Sequence, residues 1–168
     1  MDRARGTDFR PAKMVSGGQT GVDRAALDAA IALGIPHGGW CPKGRLAEDG
    51  AIPPRYCLTE TESAEYAVRT EGNVRDSDAT LILCRGGPTG GTELTLRMAE
   101  RWEKPHLEVN LDRPPDLEAV CRWLAEIRPA VLNVAGPRES QSRGIAARAE
   151  AFLRQLFTPD GPSTCTTV

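Results

Sequence analysis

Short apolar runs along this chain are each followed by a stretch whose apolar residues recur at helical spacing. The first run, Lys13-Met14-Val15, reads as the end of a buried strand. Beyond a glycine-rich loop, Val22, Ala25, Ala26, Ala29, Ala30 and Leu33 mark one face of a helix. Gly34-Ile35-Pro36 then supplies a left-handed stop and a breaker. Residues 36–41 suggest a second strand, weakened by Gly38 and Gly39. The chain reads as loop over 42–54, brief strand over 56–58 and helix over 63–73. Ala79–Cys84 is the clearest strand, a continuous apolar run suited to the centre of a parallel sheet. Helices are predicted over 93–102, 116–127 and 144–157, with an apolar segment at 106–111 and a strand at 130–134. The polar stretches 1–11 and 158–168 read as flexible tails on one domain spanning 12–157.

Strands alternating with helices imply parallel β-α-β crossovers, hence an α/β fold with an open, doubly wound, mostly parallel sheet. In such a sheet the loops after the strands gather at the carboxyl edge, and ligands bind where the strand order reverses. Three glycine-bearing loops are predicted there, at 16–21, 85–92 and 135–140. Thr20-Gly21-Val22-Asp23 fits a capping box, and Thr92 is placed to cap the helix after the second loop. One glycine loop at a helix start is either an anion site or a tight turn with no ligand. The recurrence of the pattern favours the anion site. Arg69, Asn73 and Asp76 fall at i, i+4 and i+7 of one polar helix face, and Lys43 and Arg138 lie in loops. Together these features describe a pocket for a phosphorylated heterocycle.

Composition narrows the classes. The 168 residues carry a net charge of −2, which gives no general attraction to nucleic acid or to an anionic membrane. Aromatic residues make up only 5%, too few for a base-stacking platform. No apolar run approaches membrane-spanning length, and a cytoplasmic protein is expected. The five cysteines are scattered without a C-x-x-C pair, against a disulfide framework or a metal cage, and no metal ligands are assigned.

Gly17-Gly18-Gln19-Thr20-Gly21-Val22-Asp23-Arg24-Ala25-Ala26-Leu27-Asp28 resembles the opening motif of the molybdenum cofactor carrier family. Trp40-Cys41-Pro42-Lys43-Gly44-Arg45, Glu48-Asp49-Gly50, Arg69-Thr70 with Asn73-Val74, Gly90-Gly91-Thr92 and Leu132-Asn133-Val134-Ala135-Gly136-Pro137-Arg138 follow in that family's order. The resemblance covers about residues 13–157 and implies a Rossmann-like fold, with helices on both faces of the sheet. It implies a carrier that binds molybdenum cofactor, or another phosphorylated heterocycle, without chemistry of its own. Gly17, Gly18, Gln19, Thr20, Gly21, Gly90, Gly91, Thr92 and Gly136 would then surround the anion. Lys43, Arg69 and Arg138 would supply charge, while Asp23, Asn73, Asp76 and Asn133 complete the site. Relatives of the family are commonly homo-oligomers, so a homo-oligomer is expected. The wider superfamily includes LOG-type phosphoribohydrolases, whose Pro-Gly-Gly-x-Gly-Thr-x-x-Glu motif ends in a catalytic glutamate. Here Gly91-Thr92 matches its Gly-Thr, but the glutamate position falls on Thr95, with Glu93 two residues away. Cleavage of a nucleoside monophosphate is therefore the alternative activity, and a nucleotide-sensing module a third reading.

Overall fold

The computed structural model describes residues 6–158. In chain order the elements are β1 (Lys13–Val15), α1 (Val22–Leu33), β2 (His37–Gly38), β3 (Trp40–Cys41), β4 (Leu46–Ala47), β5 (Gly50–Ala51) and β6 (Thr59–Glu60). They continue with α2 (Tyr66–Arg75), β7 (Ala79–Cys84), α3 (Gly90–Arg101), β8 (His106–Asn110), α4 (Leu117–Ile127), β9 (Val131–Ala135) and α5 (Ile145–Phe157). Five strands form the central sheet in the order β2-β1-β9-β7-β8, and every neighbouring pair is parallel. The doubly wound α/β fold read from the sequence is the one observed. The segment read as one strand over 36–41 divides: β2 joins the main sheet, while β3 pairs with β6 in a small sheet of its own. The loop over 42–54 contains the β4–β5 hairpin.

The strand order carries more than the fold class. Counting from β9, the sheet runs 3-2-1-4-5, the dinucleotide-binding arrangement, so the last strand in the chain occupies the place of the first. The order reverses between β9 and β7. The first and last described residues fit this shift, because the Thr7 amide donates to the Leu156 carbonyl at 2.8 Å. Residues 6–12 thus run from the end of α5 into β1, where an uncut chain would make its next connection. Residues 6–11 were expected to trail as a tail; instead Thr7 is buried and Phe9 packs on the core. The remainder of both expected tails, 1–5 and 159–168, lies outside the described residues.

Alternation along β7 divides the sheet faces. Ala79, Leu81 and Leu83 join a core cluster with residues of α1, α4 and α5. Thr80, Ile82 and Cys84 point the other way and are buried as well, on the side where α3 packs against β7 and α2 against α3. Four buried alanines on α1 keep that face of the helix thin, so Phe152, Leu153 and Leu156 of α5 fill the space between them. A satellite core of Leu27, Cys41, Ile52 and Tyr56 lies beneath the hairpin. Among the described residues no helix is long and apolar enough to cross a membrane.

Candidate functional site

The loops after β1 and β9 are pressed together backbone to backbone. The Val22 amide donates to the Pro137 carbonyl at 3.2 Å. A Cβ on Gly21, which has φ of 80°, would lie 2.3 Å from that same oxygen. Only glycine permits both the left-handed backbone and the approach. The expected capping box does not form, because Gly21 itself occupies the N-cap of α1. The Asp23 carboxylate reaches past Thr20 to the Gln19 amide at 3.3 Å. The Thr20 hydroxyl is drawn outward, donating to Glu48 and accepting from the Glu139 amide at 3.2 Å.

Glu48 is one residue that the sequence did not assign to the site. From the hairpin it meets Thr20, and it accepts from the Ser140 amide at 3.2 Å and from the Ser140 hydroxyl. The Gln19 side-chain oxygen accepts from the Glu48 amide at 2.9 Å. Ser140, followed by Thr20, holds the Glu48 carboxyl below its ordinary range. The motif Glu48-Asp49-Gly50 was visible, but its partner Ser140 is 92 positions away and only the fold brings them together.

A cavity of about 180 Å³ opens at the β9/β7 reversal, room for part of a ligand with the rest at its mouth. Its floor is the end of β9, where the buried Asn133 donates to Thr80 Oγ1 of β7 at 3.2 Å. Arg69 projects from α2, buried, and donates to the Gly17 carbonyl at 2.9 Å. Asp23 Oδ2 lies 3.9 Å from the same guanidinium nitrogen. Burial pushes the Asp23 carboxyl up, against the opposing pull of Arg69 and the Gln19 amide. Arg138 lines the other side with its Nε buried and without a hydrogen-bond partner, 3.5 Å from Glu48 Oε2. That is an ion-pair distance without hydrogen-bond geometry.

The fourth wall is the first turn of α3. This helix starts at Gly90, with Thr89 in the N-cap place expected for Thr92, so the glycine pair lies inside the helix. Helix geometry leaves the Gly90 and Gly91 amides without an intrahelical acceptor. A Cβ on Gly91 would meet nothing within 4 Å, so a ligand can approach it freely. Thr92 and Thr95 are buried beside it, and the Thr95 hydroxyl donates to the Gly91 carbonyl at 3.1 Å. Glu93 is turned outward into an ion pair with Arg97, away from the lining.

Of the residues assigned from the sequence, Gly17, Gln19, Asp23, Arg69, Asn73, Gly91, Thr92, Asn133, Gly136 and Arg138 line the cavity. Gly90 adjoins it through the helix start, while Thr20 and Gly21 brace its wall from behind. Gly18 faces elsewhere: a Cβ there would meet Leu58 and Ile52 of the satellite core at 2.7 and 2.8 Å. Lys43 is exposed and outside the lining, its amide donating to the Ser63 carbonyl at 2.9 Å. The predicted face of Arg69, Asn73 and Asp76 exists but serves mainly to fix α2. Asn73 accepts from the Trp40 amide at 2.7 Å and donates to its carbonyl at 3.0 Å. Asp76, at the end of α2, accepts from the Trp40 indole at 2.9 Å and pairs with Arg75, outside the cavity. These bonds hold the helix so that Arg69, one turn earlier, reaches the floor. Tyr66 and Gln141 also line the cavity, and neither carried a signal in the sequence. Among the described residues no three His, Cys, Asp or Glu side chains gather as a metal site.

With this geometry described, comparison with known proteins adds two findings. A family model, the circularly permutated YpsA SLOG family, matches residues 14–157. A crystal structure of a putative molybdenum carrier protein from Syntrophus aciditrophicus SB is similar, with 45% identity and a TM-score of 0.85. The alignment covers 88% of this chain and 96% of that one. No curated protein matches the chain. The permutation in the family's description agrees with the sheet, whose last strand takes the first strand's place.

Proposed function

We propose that this chain, which belongs to the circularly permutated YpsA SLOG family, binds and carries a phosphorylated heterocycle of the molybdenum cofactor type. The observation that carries the reading is Arg138, whose buried Nε lacks a hydrogen-bond partner beside a cavity rimmed by helix-start amides. Leaving a charged donor in that state is costly unless a ligand acceptor meets it. The Gly90 and Gly91 amides and Arg138 suit a phosphate, with the α3 helix end adding its positive partial charge. Arg69 at the floor adds a second cation, and the ring would rest on Asn133 and Thr92. The metal would travel as part of the cargo, held by the pterin rather than by protein side chains. In this reading the protein is cytoplasmic and homo-oligomeric, with exposed Val68 and Trp102 offering apolar surface to a second copy.

Binding without hydrolysis is supported by Thr95, which fills the position of a catalytic glutamate and spends its hydroxyl on the Gly91 carbonyl. An oxocarbenium-forming reaction needs a carboxylate there. The test pairs two measurements on the full chain: calorimetric titration with a pterin phosphate, and chromatography for free base released from AMP and GMP. The reading expects saturable pterin binding and no base release. Robust base release would replace the carrier by a phosphoribohydrolase.

A further inference from the structure

One carboxylate lines the cavity, and it is buried. Asp23 shares the lining with two arginines, yet neither neutralises it by a close hydrogen bond; the nearer, Arg69, stands at 3.9 Å. The surrounding loop meets the carboxylate through the Gln19 amide, which donates to Oδ2 at 3.3 Å, and through the Ser16 side chain. The adjacent Ser16 hydroxyl has its proton on the Val134 carbonyl, 2.6 Å away. A carboxylate has about four acceptor positions, so Asp23 keeps capacity for a ligand donor. A carboxylate taken out of water gains most from donors that replace its lost hydration. Beside it, Arg69 commits Nη1 to Gly17 and Nε to Thr70, so Nη2 is the guanidinium nitrogen without a protein acceptor.

We infer that Asp23 and Arg69 together select the heterocycle, reading a 2-amino-4-oxopyrimidine edge. Such a ring presents an amino group and a ring N–H to Asp23, and the neighbouring carbonyl to Arg69. Guanine and pterin share this edge; adenine, with an acceptor nitrogen beside its amino group, does not match it. The inference rests on the reading that the cavity binds a phosphorylated heterocycle, and it names the two residues that read the ring.

The Gln19 amide makes the assignment testable. In Asp23→Asn that amide holds the side-chain oxygen, so the new NH2 turns toward the ligand as a donor. A donor there rejects a 2-amino ring and suits a 2-oxo ring. The experiment titrates the full-length wild type and Asp23→Asn with GMP, XMP, AMP and ribose 5-phosphate. A parallel arm uses a pterin phosphate and its 2-oxo lumazine counterpart, and thermal melts accompany every protein. In the wild type the 2-amino member of at least one pair should bind roughly tenfold or more tightly than its 2-oxo partner and than AMP. Whichever pair shows this identifies guanine or pterin as the ring. Asp23→Asn should reverse the preference while ribose 5-phosphate still binds, and the melt shows whether the variant, in which Arg69 loses its buried carboxylate neighbour, is folded. Equal wild-type affinities for 2-amino and 2-oxo rings would overturn the inference, whether or not the variant folds. So would a uniform loss across all ligands, ribose 5-phosphate included, in a folded variant. Ribose 5-phosphate binding without ring discrimination would leave the anion cavity standing and remove only the ring assignment. Failure of every ligand to bind the wild type would remove both.

Discussion

Arg138→Ala separates the cavity's chemistry from the stability of its walls. In the folded protein the Arg138 Nε has no hydrogen-bond partner, and its carboxylate neighbour, Glu48 Oε2, stands at 3.5 Å. An ion pair of that kind at a partly exposed guanidinium contributes about 0–1 kcal/mol. Removing a buried, unsatisfied donor returns a comparable amount, because such a group costs about 1–3 kcal/mol. Glu48 keeps its bonds to Thr20 and Ser140, so the three loops stay joined. The variant should therefore lose no more than about 1 kcal/mol of stability, a fall of no more than about 4 °C in Tm for a domain of this size, and it can gain stability instead. The ligand, by contrast, loses a charge-assisted hydrogen bond worth about 1.5–3 kcal/mol. In Kd that is about 10- to 150-fold. Calorimetric titration with a pterin phosphate reads the second quantity and a thermal melt the first. Unchanged affinity with a Tm lowered by much more than 4 °C would make Arg138 a structural ion-pair residue and refute the reasoning.

Gly91→Val should weaken the same ligand at least about tenfold while leaving Tm unchanged or slightly raised, since the side chain enters open space on a helix. Retained affinity would take the α3 amides out of the site. Gly21→Ala should cost about 2–4 kcal/mol in urea unfolding, because it combines a left-handed φ with a clash against the Pro137 carbonyl. A near-neutral result would mean that the two loops separate easily. Asp76, held at about 2 by its Arg75 hydrogen bonds and then by the Trp40 indole, has a depressed folded value. Its contribution is therefore complete above the ordinary carboxyl value of 3.8 and is lost as pH falls toward about 2. Asp76→Asn should flatten the acid-unfolding curve within that window, and an unchanged slope there would show that the pairing with Arg75 and Trp40 adds nothing to stability.

What the sequence revealed and what it hid divide along the range of the interactions. Met14, Ala79–Cys84 and the α1 alanines announced their elements because burial imposes a local period on them. The glycine loops announced the sheet edge where the cavity lies for a similar reason, since tight turns at helix starts require particular residues. The strand order was not legible, because nothing local in residues 131–135 says that this strand enters the middle of the sheet. Asn73 and Asp76 showed the right helix face, but their partner Trp40, in the strand read over 36–41, is more than 30 positions away and only the fold brings them together. Gly18 looked like its neighbours and differs only because the satellite core closes over it. Thr20 and Asp23 matched a capping box in spacing, yet Glu48 and the close approach of Pro137 took the backbone another way.

The central claim is that the cavity between β9 and β7 carries an anionic, phosphorylated heterocycle. Mass spectrometry of the small molecule retained by wild type and Arg138→Ala, both purified without oxygen, tests it most directly. A phosphorylated pterin should be found on the wild type, strongly reduced on the variant. A retained molecule lacking phosphate, or equal retention by both proteins, would contradict it.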